Sequence, residues 1–101
     1  MLLKIDDAAH LGDARFELRF NDGRTGLVDI RALIEDGPVG IFDRLEDESY
    51  VRQFELRHGT LCWPDELDVA PEYLYFLAFR DAPGLQEKFA EWGYLPQTAP
   101  A

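Results

Sequence analysis

The fold is decided by residues 14–30, which read ARFELRFNDGRTGLVDI. From 14 to 20, apolar side chains alternate with charged ones, and a period of two is typical of a β-strand with one face in solvent. The pair Asp22-Gly23 follows and predicts a hairpin, because the tight turn requires a positive φ that glycine adopts without strain. The return strand is predicted over residues 25–30.

A second hairpin is predicted further along the chain. Strands 55–57 and 60–63 flank a short connection that contains Gly59, and such a glycine indicates a tight turn. Pro64 ends the second strand, because it has no N–H for the ladder and favours extended geometry in the residue before it. We therefore place Trp63 on a strand, with its side chain in the core.

Shorter elements are predicted elsewhere: a strand at 2–5, helical turns at 31–34 and 40–45, and a short helix at 47–54. Together these elements predict an α+β fold, with a small, largely antiparallel sheet built from two hairpins, a helix packed on it and a C-terminal helical extension. We expect residues 1–80 to form a single α+β domain. Residues 81–101 would add the helical extension and a frayed tail.

The helix that packs on the sheet is predicted over 71–80, where Pro71 suits the first helical position. Its residues 73–79 are an unbroken apolar run, whereas a surface helix normally has one apolar stripe. At least two faces of this helix must therefore be covered. A second helix is predicted over 85–92, after a break at 81–84.

Two arrangements would cover this apolar surface. The terminal helix folds back within the chain, or the two helices form a patch that pairs with the same patch on a second chain. We expect partial cover within the chain and a homodimer formed by the remainder. The candidate interaction surface consists of five large side chains: Phe76, Phe79, Leu85, Phe89 and Trp92.

The composition indicates one small globular domain, with 101 residues of which 47% are hydrophobic. Its net charge of −10 would repel nucleic acid and anionic membranes, so we expect neither as a partner. The acidity suits solubility or a basic protein partner. The start of the chain lacks the apolar region of a signal peptide, and the single cysteine, Cys62, is typical of a cytoplasmic protein.

Residues that could carry chemistry are few and scattered, so we predict neither an enzyme nor a cofactor. Asp65, Glu66 and Asp68 do not fit an EF-hand loop, which needs glycine at position six and glutamate at position twelve. His58 and Cys62 lie four residues apart, but a structural zinc site needs four ligands. No glycine-rich elbow surrounds the cysteine. The one catalytic arrangement left open is a Cys62 thiol in contact with a histidine in the folded chain.

Six short blocks occur in an order that is typical of a known family. They are LRFNDGR at 18–24, VDI at 28–30, GP at 37–38, DESY at 47–50, GTLCWP at 59–64 and DVAPEYLY at 68–75. In this order they resemble the bacterial domain of unknown function 2442, over residues 3–75. The resemblance implies a small α+β fold in a bacterial cytoplasmic protein, and it assigns no activity and no catalytic residue. Some members of that family are encoded beside another small protein, in an arrangement that looks like a toxin–antitoxin pair.

These features favour a non-catalytic module that binds a protein partner or itself, with an antitoxin-like role as a special case. The alternative is a sensory or regulatory domain that binds a small ligand beside Trp63 and the aromatic helix.

Overall fold

The computed structural model describes residues 2–95. The strands are β1 Ile5–Gly12, β2 Arg15–Phe20, β3 Thr25–Asp29, β4 Glu55–Arg57, β5 Thr60–Trp63 and β6 Leu67–Asp68. The helices are α1 Arg31–Asp36, α2 Glu48–Val51, α3 Pro71–Phe79 and α4 Gln86–Glu91, with 3₁₀ turns at Asp43–Glu46 and Pro83–Leu85. The predicted frayed tail, 96–101, lies outside the described residues.

The predicted α+β class is confirmed, with antiparallel hairpins, a packed helix and a C-terminal helix. The two hairpins belong to separate three-stranded antiparallel sheets, in the orders β1-β2-β3 and β4-β5-β6. Each hairpin is extended by a third strand, β1 in the first sheet and β6 in the second, and neither was predicted with these bounds. The sheets are joined where the Ile5 N–H donates to the Gly59 carbonyl at 2.8 Å.

The two unpredicted strands have weak sequence signals. The strand predicted at 2–5 is displaced: residues 2–4 belong to no strand. The observed strand β1 runs from Ile5 to Gly12 at the edge of the first sheet. Its small and charged residues hide the alternation, and its pairing with β2 is shifted at two places. Strand β6 has only two residues, too few to show any period.

Both predicted hairpin turns are confirmed, and they use different geometries. The Phe20 carbonyl accepts the Gly23 N–H at 3.0 Å, and Gly23 takes a φ of +91°, which is typical of a three-residue loop with a glycine bulge. His58 and Gly59 have φ values of +55° and +76°, as the two-residue turn of a tight hairpin requires.

The core lies between the first sheet and α3, and it continues beyond the helix to α4. The Phe20 ring lies 4.9 Å from the Tyr75 ring on one side of α3. On the other side, the Phe76 ring lies 5.1 Å from the Phe89 ring of α4. The fully apolar helix is therefore covered on two sides within one chain, as its sequence requires.

Helix α3 comes close to β3 at Gly26. A Cβ atom at Gly26 would lie 2.9 Å from the Ala78 Cβ and 3.0 Å from the Phe79 ring. We expect Gly26→Ala to lower the free energy of unfolding by about 1–3 kcal/mol, because overpacking forces helix and strand apart. Urea denaturation measures this, with Thr25→Ala on the exposed face as the control. A stabilised Gly26→Ala variant would show that the helix moves away freely.

The hydroxyl of Tyr75 connects α3 to the first hairpin. It donates a hydrogen bond to the Asp22 carboxylate at 2.7 Å. Burial, together with this bond to a negative group, raises the pKa of Tyr75 to about 12. The unfolded chain therefore releases this proton first as the pH rises, since a free tyrosine has a pKa of about 10.

Stability should therefore be fully present below about pH 10 and fall as the pH rises through about 12. We expect Tyr75→Phe to make this decline shallower, because phenylalanine has no proton to lose. Urea midpoints measured between about pH 8 and pH 12 test it. Asp22→Asn is the matched variant and should also flatten the decline, because it removes the negative charge that holds the proton. A decline of unchanged slope in both variants would contradict the assignment.

Within residues 2–95, no helix is long and apolar enough to cross a membrane.

Candidate functional site

The predicted interaction surface is largely inside the molecule. Phe76, Leu85 and Phe89 are buried, because α4 folds back on α3 and places these side chains in the core. These three residues are therefore not available as a surface, and the prediction that they form one is corrected. Phe79 and Trp92 pack against the same core and remain half-buried.

A second group of half-buried aromatic side chains lies around Tyr73 and Tyr94. Two adjoining cavities of about 490 and 430 Å³ share Asp36, Tyr73 and Tyr94 in their walls. We call them together the aromatic groove. Its remaining walls are formed by residues of four segments: Phe76 of α3 with Arg80 directly after that helix, residues 93 and 95 after α4, residues 68–70 before α3, and Gly37, Pro38 and Phe42 after α1.

Three rings in the groove are in mutual contact. The Tyr94 ring lies 5.3 Å from the Tyr73 ring and 5.2 Å from the Phe76 ring, and Tyr73 stacks on Phe76 at 6.2 Å. Burial raises the pKa of both Tyr73 and Tyr94, with smaller contributions from the carboxylates of Asp36 and Glu72 respectively. The tyrosines are half-buried, so their neutral rings form a wall that is open to solvent on one side.

An exposed apolar loop, residues 37–42, borders this groove. Val39 is 99% exposed and Ile41 is 54% exposed, whereas Phe42 turns inward. The loop begins where the Gly37 N–H donates to the Leu33 carbonyl at 3.1 Å, and Gly40 takes a φ of +85°. The sequence analysis predicted a helical turn at 40–45 and missed this loop; the two apolar residues beside Gly40 were the available signal.

A second, polar groove of about 540 Å³ lies on the second sheet. It is lined by Gln53, Glu55, Arg57, His58 and residues 62–68. Three of its residues, His58, Asp65 and Glu66, are non-glycine residues with a positive φ. Such residues are strained and often lie at functional sites, although His58 is also explained by its hairpin turn.

The only cysteine of the chain lies in the polar groove. Its Sγ is 3.7 Å from the Arg57 carbonyl, to which the thiol donates. Burial, with the nearby Asp68 carboxylate, raises the pKa of the Cys62 thiol. A raised pKa keeps the sulfur protonated at neutral pH, and the thiolate is the reactive form.

The neighbouring tryptophan occupies the core, as predicted. Trp63 is 3% exposed, and its indole N–H donates to the Val51 carbonyl at 3.1 Å. Only an edge of this side chain reaches the polar groove, so its main role is to pack the second sheet against α2 and β2.

Two of the acidic residues that follow Pro64 have different partners. Asp65 pairs with Arg44, and Asp68 pairs with Cys62 in the β5–β6 ladder. Among residues 2–95, no three side chains of the metal-binding types come together. The absence of a metal and of a cofactor stays a prediction.

Fold and grooves together define a small α+β domain with an aromatic groove on one side and a polar groove on the second sheet. A family profile described as Protein of unknown function (DUF2442) matches residues 5–80, and the chain belongs to this family. The match extends past Tyr75 to the end of α3, so Phe76 and Phe79 lie within the family region, contrary to the sequence-based limit at residue 75. No significant match to a curated protein or to a solved structure was found.

Proposed function

We propose that this chain is a non-catalytic protein-interaction module. Its docking surface is the apolar loop, residues 37–42, together with the aromatic groove. The observation on which the proposal depends is the exposure of Val39 and Ile41 in a loop whose neighbouring residues, Pro38 and Phe42, line a groove walled by tyrosines. A cytoplasmic location and an antitoxin-like role belong to the same proposal.

The physical reason is that a partner can cover a contiguous apolar patch in one contact and so remove its whole area from water. Single exposed apolar residues are normal, but Val39 and Ile41 adjoin Pro38 and Phe42 in the chain, and these two line the groove together with the tyrosines. Tyrosine is enriched among the residues that contribute most to binding, because its ring is large and rigid and its hydroxyl tolerates water. A partner that covers the loop would bury the Val39 side chain almost entirely.

The chemistry of the cysteine supports the non-catalytic part of the proposal. The Cys62 thiol donates to a backbone carbonyl and has a raised pKa, both of which disfavour a nucleophile.

A matched pair of variants tests the docking surface. The tagged full chain is used to capture partners from its native cell extract, and the retained proteins are quantified by mass spectrometry. We expect Val39→Ser to lose a partner that the wild-type chain retains. Leu27→Ser is the control, because Leu27 is 65% exposed on the outer face of the first sheet. Equal retention by both variants would rule out the loop as the docking surface.

A second copy of the chain is one such partner, and sedimentation distinguishes it. At about 100 µM protein, a homodimer formed through the loop should dissociate in Val39→Ser and not in Leu27→Ser. A full-length chain that stays monomeric at this concentration would exclude the homodimer and leave a different protein as the partner.

The second candidate function is the binding of a small polar ligand in the polar groove. It is favoured by the positive φ of both Asp65 and Glu66, neither of which is a glycine, in the loop that borders the groove. Trp63 borders the same groove, so a bound ligand should change tryptophan fluorescence. A screen of small metabolites by fluorescence and melting temperature tests this function. If the positive φ of Asp65 has a role in binding, an Asp65→Gly variant should bind the ligand more weakly, and normal binding would show that it has none.

A further inference from the structure

From the rings and charges of the aromatic groove, we infer that its occupant is a basic segment of the partner protein, with an arginine side chain stacked on Tyr73 and Tyr94. This inference deepens the proposed function and depends on it. Two observations support it: the tyrosine rings are exposed to the groove, and the charged residues in and near the groove walls are predominantly acidic.

The aromatic cluster already holds one guanidinium. The Arg80 guanidinium carbon lies 4.9 Å from the centre of the Phe76 ring. The Tyr73 and Tyr94 rings belong to the same cluster, and their outer sides face the cavities. Since arginine stacks its planar group on aromatic faces, the two tyrosines offer a second position of the same kind.

The charges around the groove are predominantly negative. Asp36 and Asp68 line it, and Glu72 lies close enough to Tyr94 to raise the pKa of that hydroxyl. Among residues 2–95, Arg80 is the one cation in the walls, and its Nη2 lies 3.4 Å from Asp36. Asp68 and Glu72 thus keep an excess of negative charge at the groove, on a chain whose net charge is −10.

These two features select the chemistry of the occupant. A purely apolar segment would desolvate Asp68 in the wall, with the charge of Glu72 nearby, and would supply no counter-charge, which is costly. An acidic segment would be repelled. A segment that carries an arginine between apolar residues would place the guanidinium at the tyrosines and the apolar side chains on Val39 and Ile41.

A pair of peptides that differ only in charge tests the arginine. The probe is an acetylated, amidated tripeptide with arginine between two leucines, and its match has citrulline, which has nearly the same shape and no charge. Each is titrated into the isotopically labelled full-length chain and followed by NMR in physiological salt. We expect the arginine peptide to shift the resonances of Tyr73 and Tyr94 and to bind at least about fivefold more tightly than the citrulline peptide.

Two protein variants with the same net charge test the location. Asp68→Asn removes a carboxylate that belongs to the walls of both grooves, so Tyr94→Leu is needed to assign the effect to the aromatic groove, and Asp6→Asn removes an exposed carboxylate from β1. We expect the first to weaken the arginine peptide about threefold and the second to change it by less than about twofold, since screening limits distant charges. Tyr94→Leu should weaken it about fivefold, because leucine keeps the apolar bulk and loses the π-face.

Equal affinity of the two peptides would overturn the inference, and so would equal effects of Asp68→Asn and Asp6→Asn, which would indicate unspecific attraction to an acidic chain. Neither result affects the proposed function, because that is decided by the loss of a partner in Val39→Ser and its retention in Leu27→Ser.

Discussion

Replacement of Trp63 by alanine is expected to lower the free energy of unfolding by about 3–5 kcal/mol, the usual range for a large aromatic side chain removed from a core. Trp63 is almost completely buried and lies edge-on to Phe16, with ring centres 6.5 Å apart. Its N–H bond to Val51 would also be lost. The Val51 carbonyl also accepts the Phe54 N–H, so it would keep one partner, and most of the loss should come from apolar contacts and the cavity.

The measurement is chemical denaturation, followed by circular dichroism because the substitution removes a fluorophore. Leu56→Ala is the control, because Leu56 lies opposite Leu61 on the neighbouring strand and is exposed. That change should cost less than about 0.5 kcal/mol. A loss below about 1 kcal/mol for Trp63→Ala would mean that the side chain is not part of the core, and the polar groove would then gain weight as a ligand site.

Replacement of Phe89 by alanine should have an effect of similar size, about 3–5 kcal/mol. Phe89 has no exposed surface, and its ring contacts those of Tyr75, Phe76 and Trp92 at 5.1–6.2 Å. It is the main side chain through which α4 covers the outer side of α3. The variant would therefore leave a cavity and also weaken the attachment of α4.

Denaturation by urea measures this loss, with Glu87→Ala on the exposed side of α4 as the control. The control should differ from the wild type by less than about 0.5 kcal/mol. If Phe89→Ala unfolded at the wild-type midpoint, α4 would be a separate appendage, and the interaction surface first predicted on α3 would be open to a partner.

Both predictions concern the core, and the functional proposals concern what the core leaves uncovered. Once Phe89 and Leu85 cover α3, the most exposed large apolar side chain among residues 2–95 is Val39 of the loop, and Ile41 beside it is also exposed. The region proposed for partner binding thus lies at the α1 side of the aromatic helix, beside Tyr73 and Tyr94.

The sequence alone determined the local elements with strong periodic or turn signals. The alternation in residues 15–20, the turn at Gly23 and the punctuation by Pro64 and Pro71 are properties of neighbouring residues, so they could be predicted without a fold. The apolar circumference of α3 likewise required that two of its faces be covered. The core position of Trp63 followed from the same local pattern.

Only the tertiary structure decided which surfaces cover which. That α4 folds back on α3, and so buries Phe76 and Phe89 rather than presenting them to a partner, depends on contacts between residues far apart in sequence. The same is true of the aromatic groove, where Asp36, Tyr73 and Tyr94 come from three separate segments. The sequence does not show which partner an apolar residue will pack against, because the hydrophobic effect favours any burial of apolar surface. Only the packing of the whole chain determines which apolar residues stay exposed.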